Sequence, residues 1–125
     1  MKKKRKSPRQ KAKLKCLDTI KKYAKERDGY VCQRCDKPVK GANAHGSHII
    51  PVSRCGWLAV DPDNIKCLCY SCHFNFWHKD PLAANNWFKS KFPGRKEMLE
   101  LKFIENQKKG KIPIEYYLEL IEEYK

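Results

Sequence analysis

Two pairs of cysteines, Cys32-Gln33-Arg34-Cys35 and Cys69-Tyr70-Ser71-Cys72, have the spacing at which both thiolates of a pair can turn toward one ion about 2.3 Å away. Together they offer four sulfurs, the donor set of a closed tetrahedral zinc site, and 33 residues separate the pairs. That interval exceeds the roughly 15–20 residues of an ordinary zinc ribbon, so folded structure must lie between the knuckles. A redox-active pair is the competing chemistry. Two pairs and no βαβ pattern favour zinc. Cys67 is close enough in sequence to exchange into the set; otherwise Cys16, Cys55 and Cys67 read as small buried or free thiols.

The segment from Cys32 to His78 holds all four histidines, His45, His48, His73 and His78, but only three carboxylates, Asp36, Asp61 and Asp63. A carboxylate dyad or multi-carboxylate metal site lacks its parts, so proton transfer here falls to imidazole, whose ordinary pKa of about 6.5 suits it near neutrality. The order Cys-x-x-Cys, Ser47-His48-Ile49-Ile50-Pro51, Asp61-Pro62-Asp63-Asn64 and Leu68-Cys69-x-x-Cys72-His73 resembles the HNH endonucleases whose ββα-metal core is stapled by zinc. The likeness spans about residues 30–80 and rests on His48, Asn64 and His73, at intervals of 16 and 9, framed by both knuckles.

The resemblance implies metal-dependent hydrolysis of DNA phosphodiester bonds. His48 would be the general base. Asn64 would brace the loop that carries it, although Asn is also an ordinary turn residue. His73 would hold a catalytic divalent metal, Mg²⁺ or Mn²⁺, beside a structural Zn²⁺ on Cys32, Cys35, Cys69 and Cys72. Many zinc-stapled members have Asp or His, a metal ligand, immediately before the base; here that residue is Ser47, a poorer ligand for a divalent ion. The ion would then rest on His73, waters and phosphate, or recruit His45 or His78. On an ideal helix His78 lies about 140° from His73, so it reaches the same ion only if the helix bends or ends early. Arg54 could clamp a phosphate. Aromatics at Trp57, Phe74, Phe76, Trp77 and Trp87 read as core rather than as base-stacking platforms. Beyond the knuckles, the segment through Trp87 and the later Gly-bounded helices is more loosely similar to phage NinG-type recombination nucleases. The alternatives are a noncatalytic zinc-stabilised nucleic-acid-binding module and an inactive HNH relic.

A net charge of +14 over 125 residues points to a polyanion, because each Lys or Arg that neutralises a phosphate releases counterions. DNA is the expected partner; oligomeric state is not legible. No apolar run approaches the roughly 20 residues of a spanning helix. The Lys-rich start lacks an apolar signal core, so a cytoplasmic, reducing setting is expected, with Lys2–Lys6 equally readable as a nuclear address in a eukaryotic host.

These side chains need elements to position them. The fold expected is α+β, a small zinc-stapled ββα-metal core with flanking helices. A disordered basic arm is expected over residues 1–15, with nine Lys or Arg and no carboxylate. The nuclease domain with its N-terminal helix would cover 16–92, and a helical extension 93–125. Leu14, Leu17, Ile20 and Tyr23/Ala24 give the first helix its stripe, and Gly29 its stop. Ala44–Val52 reads as extended, with Pro51 ending the ladder. Asp61-Pro62-Asp63-Asn64 reads as a turn. Helices are expected over Ser71–His78, after the Asp80 cap with Pro81 at its first position, over Arg95–Lys109, and over Pro113–Tyr124. The last has a stripe at Ile114, Tyr117, Leu118, Ile121 and Tyr124. Its acidic end should face away from the polyanion or fold on basic surface.

Overall fold

The computed structural model describes residues 5–125. Its first helix, α1 (Pro8–Arg27), starts seven residues inside the segment expected to be a disordered arm. Ser7 closes a capping box with Gln10, and Pro8 occupies the first turn, where its missing N–H costs nothing. These caps, with Ala12 and Cys16 buried against the C-terminal helix, outweigh the repulsion among the lysines. Residues 1–4 of the expected arm lie outside the described residues. The buried stripe is Ala12, Cys16, Ile20 and Ala24, one residue per turn; Leu14 and Tyr23 face outward instead.

After the first knuckle the chain forms β1 (His45–His48), crosses a short helix α2 (Gly56–Ala59), and returns through a 3₁₀ turn Pro62–Asn64 into β2 (Ile65–Leu68). The strands pair antiparallel, His45 with Leu68 and His48 with Ile65. β1 is shorter than the extended stretch expected and ends three residues before Pro51. Asp61 caps the turn, its Oδ1 accepting from the Asp63 amide. A two-stranded ribbon is marginal alone; here α1 packs on it, and the second knuckle leads from β2 into a π-helical turn, Cys72–Trp77.

Three helices complete the fold: α3 (Pro81–Lys91), capped by Asp80, α4 (Arg95–Gln107), and α5 (Ile114–Tyr124). Gly94, at φ 86°, makes the break before α4 that a side chain would strain. Acidic α5 lies along Lys-rich α1, burying Tyr117, Leu120 and Ile121, with the Arg9 guanidinium over the Tyr117 ring; Leu118 is exposed. A second core surrounds the knuckles, where Val39, Ala44 and Leu68 pack with the cysteines. A third joins Leu58, Phe88 and Leu99. Among the described residues, no helix is long and apolar enough to cross a membrane.

Candidate active site

The knuckles meet because β2 runs directly into the second one and Gln33 of the first donates its backbone N–H to the Cys67 carbonyl, 2.9 Å away. The Sγ atoms of Cys32, Cys35, Cys69 and Cys72 all lie within 4.8 Å of one another. Sulfurs about 2.3 Å from a central tetrahedral ion stand about 3.8 Å apart, and Cys35 and Cys69 are separated by 3.8 Å. The donor set therefore fits zinc. Burial alone would push the Cys32 thiol up, but backbone amides at Cys35, Cys69 and Arg34 bring it down to about 7. Burial pushes Cys72 up to about 12, although Arg34 Nη1 donates to its sulfur at 3.6 Å. Thiols so unequal ionise together when a cation joins them. Cys16 and Cys67 are buried outside the cluster, each pushed up to about 11 by burial, which suits inert thiols.

His48 ends β1. Its ring Nε2 lies 2.8 Å from the Ala59 carbonyl, which can only accept, so Nε2 carries the proton and Nδ1 the lone pair. Burial lowers the His48 pKa, and Lys21 and Lys66 add to this, while the Ala59 carbonyl opposes it. The neutral, proton-accepting form is thereby favoured. Trp77 Nε1–H donates to the His48 carbonyl at 3.1 Å, fixing the strand end against the π-helical turn.

Asn64 is fully buried and uses both ends of its amide. Oδ1 accepts from the Ile50 N–H at 2.8 Å, and Nδ2 donates to the carbonyls of Ile50 at 2.9 Å and Leu58 at 3.0 Å. The loop after His48 is thus tied at both ends to the turn before β2. That turn is itself held from outside. Arg27 donates to the carbonyls of Pro62 and Ile65, Arg95 to those of Asp63 and Ile65, and Lys102 pairs with Asp61 and Asp63. Nothing local in the sequence marks these three cations, since their partners lie 30 or more residues away.

His73 lies between two other imidazoles. Its Nδ1 is 2.9 Å from His45 Nδ1, and its Nε2 is 3.0 Å from His78 Nε2. Burial, followed by the neighbouring His78 and His45 rings, pushes its pKa down to about 4, so it is neutral and able to ligate. The expected separation of His78 from His73 does not hold, because the intervening turn is π-helical: the His78 amide donates to the His73 carbonyl, five residues back, at 3.1 Å.

One cleft of about 560 Å³ is lined by His48, His73 and His78, together with Lys21, Trp77 and Asn85. His45 is not part of its wall; its ring meets Tyr70 and Phe74 edge-on. Ser47 is buried and accepts from Lys66 Nζ at 3.2 Å, so its hydroxyl points into the core. Lys66, also fully buried, places its Nζ 3.2 Å from the Trp77 ring centroid. Arg54, the expected phosphate clamp, lies over Phe103 outside the cleft. Lys21 lines the cleft, and its stem crosses Gly46 where a Cβ would meet it at 2.9 Å. Trp77 and Trp87 pack in the cores as expected, whereas Phe74 is exposed and stacks on His73.

Residues 32–75 match the family model described as HNH endonuclease, a segment that includes both knuckles, His48, Asn64 and His73 and stops short of His78. Comparison with curated proteins and with solved structures finds no match.

Proposed function

From an HNH endonuclease domain at residues 32–75, we propose that the protein is a metal-dependent endonuclease hydrolysing DNA phosphodiester bonds. The supporting observation is the paired placement of two imidazoles in one cleft. His48 has its Nδ1 lone pair freed by the Ala59 carbonyl, and His73 stands ready as a neutral ligand. The sulfur cluster takes the structural zinc.

His73 would hold the divalent ion, which when bound supplies Lewis acidity to the phosphate and charge stabilisation to the leaving oxygen. His48 Nδ1 takes a proton from the water that attacks phosphorus as the bond to the leaving oxygen breaks. The imidazolium so formed keeps its Nε2–H on the Ala59 carbonyl, which holds the ring in place throughout. Asn64 keeps the loop and the base in register with the cleft. Lys21 offers a cation to the phosphate, and the net charge of +14 supplies salt-sensitive, sequence-independent affinity for the polyanion. A phage recombination enzyme would fit the looser likeness of the C-terminal helices.

The test is nicking of supercoiled plasmid with Mn²⁺ or Mg²⁺. The wild type should relax the plasmid, and His48→Ala should lose activity by about 100-fold or more, the contribution of a positioned base. A zinc-loaded wild type that binds but never cuts would leave the noncatalytic binding module or the inactive relic as the answer, and a His48→Ala variant that cuts equally well would remove His48 as the base.

A further inference from the structure

We propose that two imidazoles, His73 Nε2 and His78 Nε2, hold the divalent ion of the cleft, and that His45 is a positioning residue that fixes the tautomer of His73. The assignment of this ion to catalysis rests on the nuclease reading; the ligand set itself rests on geometry.

The argument is a proton count that starts from a backbone oxygen. The Ala42 carbonyl lies 2.8 Å from His45 Nε2 and can only accept, so that nitrogen carries hydrogen. Neutral His45 then presents a lone pair at Nδ1. His73 Nδ1, 2.9 Å away, must donate to it. The lone pair of His73 is consequently at Nε2, directed at His78 Nε2 and at the cleft that His48 also lines. A ligating imidazole whose other N–H is anchored through a hydrogen-bonded chain to a carbonyl is the usual support for a metal site.

The distance fits an ion between the two rings. Two nitrogens about 2.1 Å from one ion and at right angles to each other stand about 3.0 Å apart, the observed separation of His73 Nε2 and His78 Nε2. An α-helical turn would carry residue i+5 away to the side; the π-helical turn brings it back over His73, with the ring centroids 4.7 Å apart. His78 is exposed and makes few other demands on the fold. It thus supplies the second protein ligand that Ser47, turned into the core toward Lys66, does not. The space between the Nδ1 atoms of His45 and His73 has a similar separation, but His45 does not reach the cleft wall and its ring is packed against Tyr70 and Phe74. Two nitrogen donors favour manganese and later transition ions over magnesium, which prefers oxygen.

Mn²⁺ titration of the zinc-loaded full chain, followed by pulsed electron paramagnetic resonance, counts directly coordinated imidazole nitrogens without reference to cutting. Wild type should show two. His78→Ala should show one and bind Mn²⁺ at least about tenfold more weakly, with zinc content and circular dichroism unchanged. His45→Ala should weaken Mn²⁺ by ~10–100-fold, the usual loss when an outer hydrogen bond is removed. His45→Asn, whose Oδ1 can still accept from His73 Nδ1, should retain two nitrogens and recover the affinity. A wild type with fewer than two nitrogens, an unaltered His78→Ala, or a His45→Asn that loses one nitrogen overturns the assignment. Two nitrogens in a protein that never nicks DNA would uphold this ligand set while removing the nuclease reading. Nicking by a protein without them would do the reverse.

Discussion

Replacing Asn64 by Ala tests whether the buried amide is what keeps the base loop in place. The side chain is fully buried and makes three hydrogen bonds of 2.8–3.0 Å. Truncation orphans the Ile50 N–H and the Ile50 carbonyl, whereas the Leu58 carbonyl keeps the backbone N–H groups of Val60 and Asp61. An orphaned buried group costs about 1–3 kcal/mol; the two groups on half-buried Ile50 should fall in the lower part of that range, because water can reach them in part. A loss of about 2–3 kcal/mol is expected, a sizeable share of the roughly 5–15 kcal/mol that holds a typical domain together. Urea unfolding in saturating zinc, followed by tryptophan fluorescence, should show the midpoint falling by about 1.3–2 M if the slope is near 1.5 kcal/mol per M. Asn64→Asp sharpens the test. Its carboxylate keeps the bond from the Ile50 amide but places an acceptor against two carbonyls, so its folded-state pKa should be raised. The native state then binds more protons than the unfolded one, and the stability of the variant should increase as pH falls through that range. A loss below about 1 kcal/mol for the Ala variant, or wild-type stability of the Asp variant at pH 7, would refute the bracing role.

Metal analysis should find one tightly held zinc per chain, and Cys69→Ser or chelation should unfold the domain, since zinc binding in small modules is worth about 10–16 kcal/mol, at least the stability of most domains; an apo protein with native near-ultraviolet dichroism from Trp77 and Trp87 would contradict this. Burial, reinforced by Arg95, holds Lys66 well below the ordinary lysine pKa, so the unfolded chain binds the extra proton and this residue makes stability rise with pH up to about 10.5. Lys66→Met should therefore be more stable than wild type at pH 7 and less dependent on pH above it; a lower urea midpoint at pH 7 would show that the bond to Ser47 and the contact with Trp77 outweigh the cost of burial. Because burial lowers the His48 pKa, the acid limb of the nicking profile should lie below pH 6.5, and this group's contribution to stability should be lost as pH falls from 6.5 through the folded value. An acid limb above pH 6.5 would mean a different base.

The zinc knuckles, the Asp61–Asn64 turn and the Asp80-Pro81 helix start were readable in the sequence because each is decided within a few residues. Two thiolates at Cys-x-x-Cys reach one ion whatever surrounds them, and Asp61 needs only the Asp63 amide for its cap. The Ser7–Gln10 capping box was local too, but the charge density around it argued for disorder, and it took burial of Ala12 and Cys16 against acidic α5 to tip the balance. Leu14 and Leu118 fit helical stripes yet face solvent, because the partner helix chooses which face is covered.

From the sequence alone came the four sulfurs placed to bind a metal, the two-stranded core and the candidate catalytic residues. The tertiary structure decided how those residues are oriented: the Ala59 carbonyl accepts from His48 Nε2 from 11 residues away, His45 meets His73 from 28 residues away, and Ser47 accepts from Lys66 in the core. It also put Lys21, and not Arg54, on the wall of the cleft and drew His78 onto His73. Spacing along a chain determines which atoms can meet within one turn; lone-pair direction and burial depend on groups brought close only when the distant parts of the chain pack together.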